Sequence, residues 1–465
     1  MRKQTLGKLV TTFLTFSLIF ALAACGGTNN KESSPAASEP ASSGASESSS
    51  GSEAAPKEKV KLKLYYQYGE DVMAAEAVNF RDTIKRFQEE NPDIDFSAEI
   101  ISPSIYMTKI QTLAAANDLP DIFPALPSMQ QAFSKNNLIA DLTPIFEKDA
   151  EWKNGFIPGA FDDQTYAGKI YGVPYESLIS TVLYWNKDIF AKSGIDHFPN
   201  NLDEFKEAIT KLKANGYIPM AMGNKTKDPL ASTFMPGLVF RYMDRAWYDS
   251  VREGTGAKFT DPEYVKAIDM LGELIKLGIF NKDMNSIDGM QAMQSHYYTG
   301  KAGMIISGSW MISSMIAQMP KEILDNTEFS TLPPQTSKPE LGNIAPGGTG
   351  WGYVVNANVT GAKLDAAVKF LKMLTSKEAG EKIINAGSLT AINVTPKDPS
   401  KLPPFFVKFL EFRKNVKPAP VPEIQFSGSY VEASYTSFQE YSVGGLSSAK
   451  LAEKLQAAMD KSAKK

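Results

Sequence analysis

The chain has 465 residues, 43% of them hydrophobic, and a formal net charge of −3. That is enough apolar material for two or three domains with sizeable cores, and the near-neutral charge, without a basic stripe, excludes nucleic acid as a natural partner. A single cysteine excludes an internal disulfide and any cysteine-based metal cluster, and the two histidines, His197 and His296, are too far apart for metal-ligand spacing.

The N-terminus has the anatomy of a secretory signal. Arg2, Lys3 and Lys8 are followed by an apolar run from Leu9 to Leu22, then by Ala23 and Ala24. At roughly 14 residues the run is short for a membrane span. Leu22-Ala23-Ala24-Cys25 resembles a bacterial lipobox, in which the cysteine is lipidated and becomes the first residue. The thiolate is the nucleophile that such a modification requires. Two acyl chains anchor stably where one does not. Residues 1–24 are therefore expected to be a lipoprotein signal peptide, with lipidation at Cys25.

The segment from Gly26 to Lys59 is Ser, Ala, Gly, Pro and Glu with almost no large apolar residue. Burial cannot offset its ordering entropy, so residues 25–58 are expected to form a disordered tether. A flexible coil of about 33 residues reaches roughly 30 Å r.m.s..

From Val60 the pattern becomes globular. Val60, Leu62, Leu64 and Tyr66 alternate with Lys61, Lys63 and Tyr65, which predicts a strand. Ala77, Phe80, Ile84 and Phe87 lie on one face of a helix stopped by Asn91-Pro92. "DIDFSAEII" predicts a second strand, and this order predicts parallel pairing through a right-handed crossover. Thr181–Trp185 is a further strand. Asn201 caps a helix with Glu204 as its capping-box partner. Asp261-Pro262 opens another, burying Val265, Ile268 and Ile275 and closing at Gly278. Late helices are expected at about Leu364–Thr375 and Ser447–Lys461. The class is α/β, with no repeat of solenoid length.

Several segments, taken in order, resemble one family. They are "NDLPDIF" (Asn117–Phe123), "GKIYGVPY" (Gly168–Tyr175), "LYWNKDIFAKSGI" (Leu183–Ile195), "GKAGMIISGSWM" (Gly300–Met311), "GGTGWGYVVNAN" and "AAVKFLKMLTSKEAGEKI". Together they resemble the extracellular solute-binding proteins of bacterial ABC importers, in the carbohydrate-binding branch related to maltodextrin- and multiple-sugar-binding proteins. The resemblance implies a type II two-lobe fold with mostly parallel central sheets and three crossings. By family order these fall near Tyr175–Ser180, Gly347–Trp351 and roughly Pro403–Val407. The N-terminal lobe is then 59–175 plus 352–403, and the C-terminal lobe 176–351 plus 404–465. Ligand binds in the cleft between them, and a hinge closes the lobes over it. The implied partners are a carbohydrate and the ABC permease subunits. The implied location is the outer face of a Gram-positive-type cell membrane, held by the lipid alone, as a monomer without cofactor.

A sugar site needs acids or amides for the hydroxyls and aromatic faces for the C–H surfaces. The resemblance places Tyr68, Glu70 and Asp71 in the loop after the first strand, and Ser128 in the next such loop. It places Asn224 and Asp228 after "YIPMAM", a stacking ring at Trp310, and a crossing ring at Trp351. Tyr430 and Glu432 fall where the last segment nears the ligand. The glycines around Trp351 precede a strand, so they are not a dinucleotide fingerprint. They allow close backbone approach and hinge torsions instead. Trp185 alternates within a strand and is expected in the core. Two other classes stay open: a binder of a peptide, polyamine or metal chelate, with the neighbours Tyr297 and Tyr298 as candidates in the metal case, as in iron binders of related fold, and a surface glycoside hydrolase. Adjacent Glu70 and Asp71 make a poor acid pair for the latter, because their side chains diverge.

Overall fold

The structure is a computed structural model that describes residues 59–463, Lys397 excepted. The signal segment, Cys25 and the tether lie outside the described residues. The described chain is α/β, built on two principal sheets.

The first sheet has the spatial order Ile94–Ile100, Val60–Tyr66, Ile122–Ala125, Gly352–Val355, Gly172–Pro174. The strand–helix–strand opening pairs parallel, Leu62 against Phe96, as its crossover order predicts. The Gly352 strand then enters antiparallel to both neighbours. The second sheet runs Thr327–Ser330, Val182–Asn186, Ala302–Ser307, Ile218–Ala221, and only its last pairing is parallel. The sheets are thus mixed where the resemblance implied mostly parallel ones. Strands returning late in the chain fill sheet positions without a crossover helix, and such strands are free to run antiparallel.

Period-two alternation decides which core each side chain joins. Leu62, Leu64 and Tyr66 meet Phe80, Phe87 and Phe370 on one face of the first sheet. Tyr65, expected on the polar side, is buried on the other face with Tyr106 and Phe123. Helices cover both faces, so alternation here separates two cores rather than core from solvent. Phe80 lies within 5.0 Å of the Tyr353 ring and 5.3 Å of Tyr68. Burying one such ring contributes roughly 1.5–3 kcal/mol. The second sheet behaves likewise: Leu183, Met304 and Ile306 face one core, and Val182, Tyr184 and Ile305 the other. Trp185 packs on the first of these cores, as expected.

The helix signals place their helices well. Asn201 caps Leu202–Ala214, accepting from the N–H of Asp203 and Glu204. Glu204 answers on the N–H of Asn200 rather than of Asn201. Asp261-Pro262 opens Pro262–Leu277, which ends at Gly278 with φ +78°. Its buried face is Tyr264, Ala267, Ile268, Leu271 and Leu274. Val265 and Ile275 are only half-buried, because Tyr264 and Leu274 take the central positions.

A small third sheet joins the two bodies: Lys417–Ala419, Ile344–Gly348 and Leu178–Ile179. The chain passes between the principal sheets through Tyr175–Ser180 and again through Thr349–Trp351. A third passage follows Ile392, which still bridges to Phe156 of the first body. It is complete by Leu402, which with Phe405 and Phe406 already packs on the second. The chain later returns: Val421, which caps the segment Pro422–Gln425, and Ile424 within it join the core of Tyr65 and Phe123. One buried cation braces this region. The Arg241 guanidinium donates to the carbonyls of Gly237, Gly342 and Ile344, and burial lowers it to about 9. It remains charged at neutral pH and fixes the start of the Ile344–Gly348 strand.

Candidate ligand-binding site

The loop after the first strand is shaped by Arg81, which donates to the carbonyls of Gly69 (2.7 Å) and Val72 (2.9 Å). Glu70, 3.8 Å from Arg81, and Asp71 are exposed. Tyr68 is half-buried against Phe80, and its hydroxyl donates to the Glu176 carboxylate. Glu176 stands on the first passage, where burial pushes its carboxyl up to about 7.

Trp310 sits beside the same passage. The neighbouring Ser309 donates its N–H to the Ile179 carbonyl (2.8 Å), and its hydroxyl accepts from the Ile179 N–H (3.0 Å). The half-buried Trp310 ring folds back over Gly308, where a side chain would collide with it. Three residues on, Ser313 accepts from the N–H of Ala75, at the start of the first helix (2.9 Å). The next residue, Glu76, is buried and takes a hydrogen bond from Ser388 (2.7 Å), with burial raising it to about 7.

Just before the second passage, a Cβ at Gly347 would lie 2.6 Å from the Leu178 carbonyl, and within the passage Gly350 has φ +60°. These are the close approach and the torsion that glycine supplies. Trp351 is half-buried, edge-on to Tyr106 at 5.5 Å.

The late segment Pro422–Gln425 and the helix Gly428–Ser442 contribute another acid–phenol pair. Tyr435 donates to Glu423 (2.6 Å), whose carboxyl burial raises to about 7. Asp228 adds like charge to it, and Ser232 hydrogen-bonds it. Burial also raises Asp228, against the pull of Thr226. Glu423 is tied to the passages through its neighbour Ile424, which approaches the space above Gly350. None of the raised carboxyls at 176, 228 and 423 owes anything to a nearby cation.

The expected residues therefore divide. Tyr68, Trp310, Trp351 and Asp228 stand half-buried at the junction. Asn224 is fully buried: its side chain accepts from the Leu230 N–H (3.1 Å) and donates to Asn285 (3.0 Å). It shapes the loop that carries Asp228 rather than facing solvent. Tyr430 is a core ring, against expectation, stacked on Phe259 at 4.9 Å. The Gly428–Ser442 helix turns Tyr435 to Glu423 instead, while Glu432 is exposed. Ser128 is buried, has no hydrogen-bond partner, and lines a separate open groove of about 1160 Å³. Glu176, Glu423 and Tyr435 were missed. "PYES" and "PEIQ" did carry a signal: an acid set directly after a proline-containing turn or strand end. Tyr297 and Tyr298 are both buried, Tyr297 on Thr327, so neither is poised to hold an ion. Among the described residues no group of acids, histidines or cysteines could hold a metal, and no helix is long and apolar enough to cross a membrane.

Known proteins resemble this chain in sequence and fold. A putative binding protein of Brucella abortus is 24% identical over 241 residues, 52% of this chain and 57% of its own. The diacetylchitobiose-binding protein DasA of Streptomyces coelicolor is 25% identical over 284 residues, covering 58% of this chain and 59% of its own. The chain thus matches little more than half the length of these relatives. Among solved structures, a chitin oligosaccharide binding protein superposes with a TM-score of 0.79 at 23% identity, over 87% of this chain and 99% of that one. Maltose-bound MalE3 of T. maritima gives 0.68 at 21%, over 86% and 99%. These likenesses establish the two-lobe fold. Residues 72–381 match the family model of the bacterial extracellular solute-binding proteins, and the chain belongs to that family.

Proposed function

We propose that this chain captures a sugar or oligosaccharide at the junction of its two sheets and delivers it to the permease of an ABC importer, without turning it over. One observation carries the reading. Two half-buried carboxyls, Glu176 and Glu423, each meet a phenol hydroxyl, and both sit at about 7. Near neutrality such groups both accept from and donate to ligand hydroxyls. Trp310 and Trp351 supply faces for the C–H surfaces. Tyr68, Asp228 and Tyr435 complete the set, with Asn224 acting through its loop. Relatives named for diacetylchitobiose and chitin oligosaccharides support this ligand class. In this reading the lobes are about 59–175 plus 352–392 and 176–351 plus 402–463, the third passage falling before Leu402 rather than at Pro403–Val407, with Val421–Gln425 packed across. A thermal-shift screen with diacetylchitobiose, maltose and xylobiose tests it. A hundredfold excess over Kd stabilises by about 2.7 kcal/mol. No shift with any oligosaccharide, beside a clear shift with a peptide or polyamine, would overturn it.

The same reading holds the protein on the outer face of the membrane through lipid on Cys25, with residues 26–58 as tether. Cys25→Ser is expected to leave folding intact and move the protein into the aqueous phase of a detergent-partition assay. Retention in the detergent phase would refute the anchor.

A further inference from the structure

The short segment Pro422–Gln425 has two polar sides. Glu423 faces Tyr435 and Asp228, while Gln425, two residues on, faces away into the open groove. There its amide donates to Asp163 (2.9 Å), and its carbonyl accepts from Arg252 (3.2 Å). Asp163 in turn accepts from the N–H of Thr349 on the second passage (3.0 Å). It gets that close because Gly348 has no side chain; a Cβ there would collide with the carboxylate. Gln164 continues the network to the Thr349 hydroxyl (3.2 Å), the Gly350 carbonyl (3.1 Å) and Gln130 (2.7 Å). One run of hydrogen bonds therefore links the first body, the second passage, the segment carrying Glu423 and the helix Arg245–Glu253 of the second body.

We infer that Asp163 and Gln425 are positioning residues for ligand capture: from the groove side they hold Glu423 and the Thr349–Trp351 passage in the arrangement that a ligand meets. The inference rests on the sugar-binding reading above. Neither residue belongs to the acid–phenol site, so they act on affinity only through the fraction of molecules in the competent arrangement. Apparent Kd rises in inverse proportion to that fraction.

The test is a charge exchange, measured at pH 8 on the full chain. Gln425→Glu sets a second carboxylate against Asp163. Asp163→Asn in the same chain restores a donor to the introduced carboxylate and leaves an oxygen for the Thr349 N–H. Affinity is measured by calorimetry with whichever of diacetylchitobiose, maltose and xylobiose gives the largest thermal shift. Q425E is expected to weaken binding fivefold or more, and D163N/Q425E to return within twofold of wild type, a coupling that a double-mutant cycle isolates. Small-angle scattering of the ligand-free proteins gives a second readout: Q425E should change the radius of gyration and the double variant should restore it. Unchanged affinity in Q425E, or a double variant no better than the single one, would overturn the inference. If Q425E does not fold, Gln425→Met, which removes the bonds without adding charge, replaces it as a single variant: binding weakened fivefold or more is expected, and unchanged affinity would overturn the inference. If wild type binds none of the three sugars, the scattering series alone decides the positioning role, unchanged radii refuting it, while the sugar reading is judged separately by the wider ligand screen.

Discussion

On the first passage, Glu176 takes the Tyr68 hydroxyl, and burial alone lifts its carboxyl to about 7. On the far side of the junction, Glu423 takes the Tyr435 hydroxyl and also reaches about 7, but by a balance. Burial and the Asp228 charge push it up, while the hydroxyls of Tyr435 and Ser232 pull it down. The first acid is a single group shifted by its own partial burial. The second is one member of a coupled pair, so its titration belongs to Asp228 as well. Two sites that look alike by composition should therefore respond differently to the same substitution.

The largest expected effect tells which pair the ligand lies against. Trp310 is tied to the Glu176 passage through Ser309, and Trp351 packs on the same core as Ile424, the neighbour of Glu423. Truncating a hot-spot ring costs about 2 kcal/mol or more, so Trp310→Ala should weaken sugar binding about thirtyfold or more. Its melting loss should stay below the roughly 3–5 kcal/mol of a core ring. Unchanged affinity with a collapsed melting temperature would assign Trp310 to the core and leave the ligand to the other pair.

Titration separates the pairs next. Glu76, Glu176 and Glu423 each sit at about 7 in the folded chain, against an ordinary 4.5. Between those values the folded chain holds protons that the unfolded chain has lost. Their contribution to stability is thus full below about pH 4.5 and is lost as pH rises to about 7. The ligand-free melting temperature should fall across that window. Glu176→Gln should flatten only its own share, whereas Asp228→Asn should flatten part of the share of Glu423. A melting temperature that rises from pH 5 to 7.5 would contradict the assignment.

Smaller still are the phenols. Tyr68→Phe and Tyr435→Phe each remove one hydrogen bond to a carboxyl, about 0.5–1.5 kcal/mol and so up to roughly tenfold in affinity. Tyr435→Phe should also raise the Glu423–Asp228 titration, visible as a displaced pH profile of binding. Equal profiles for the two variants would erase the contrast. Least affected are the exposed acids: Glu70→Gln and Glu432→Gln should change affinity by less than about twofold, since surface substitutions stay within about 0.5 kcal/mol.

The fold was legible where local chemistry decides it. The Asn201 and Asp261 caps, the Phe80 face and the alternation of the first strand all follow from neighbours in sequence. The antiparallel entry of the Gly352 strand was not legible, because its partners at Ile122 and Gly172 lie far away along the chain. The site divides in the same way. Trp310 and Trp351 are marked by the small residues beside them. Tyr430 and Tyr435 look equivalent in sequence, and only the packing of Phe259 and Phe426 decides which one is core. Glu176 and Glu423 are marked locally only by the proline turns before them, and their burial comes from segments distant in the chain.

The edge-on contact of Trp351 with Tyr106 has an optical consequence. Indole emission follows the polarity around the ring, and this indole lies on a passage between the two bodies, half in contact with solvent. Trp152, Trp185 and Trp247 are half-buried against cores away from the passages, while Trp310 shares the junction with Trp351. A change at the junction is thereby written into the protein's own fluorescence through these two rings, so that arrival of a ligand can be followed in real time without a label.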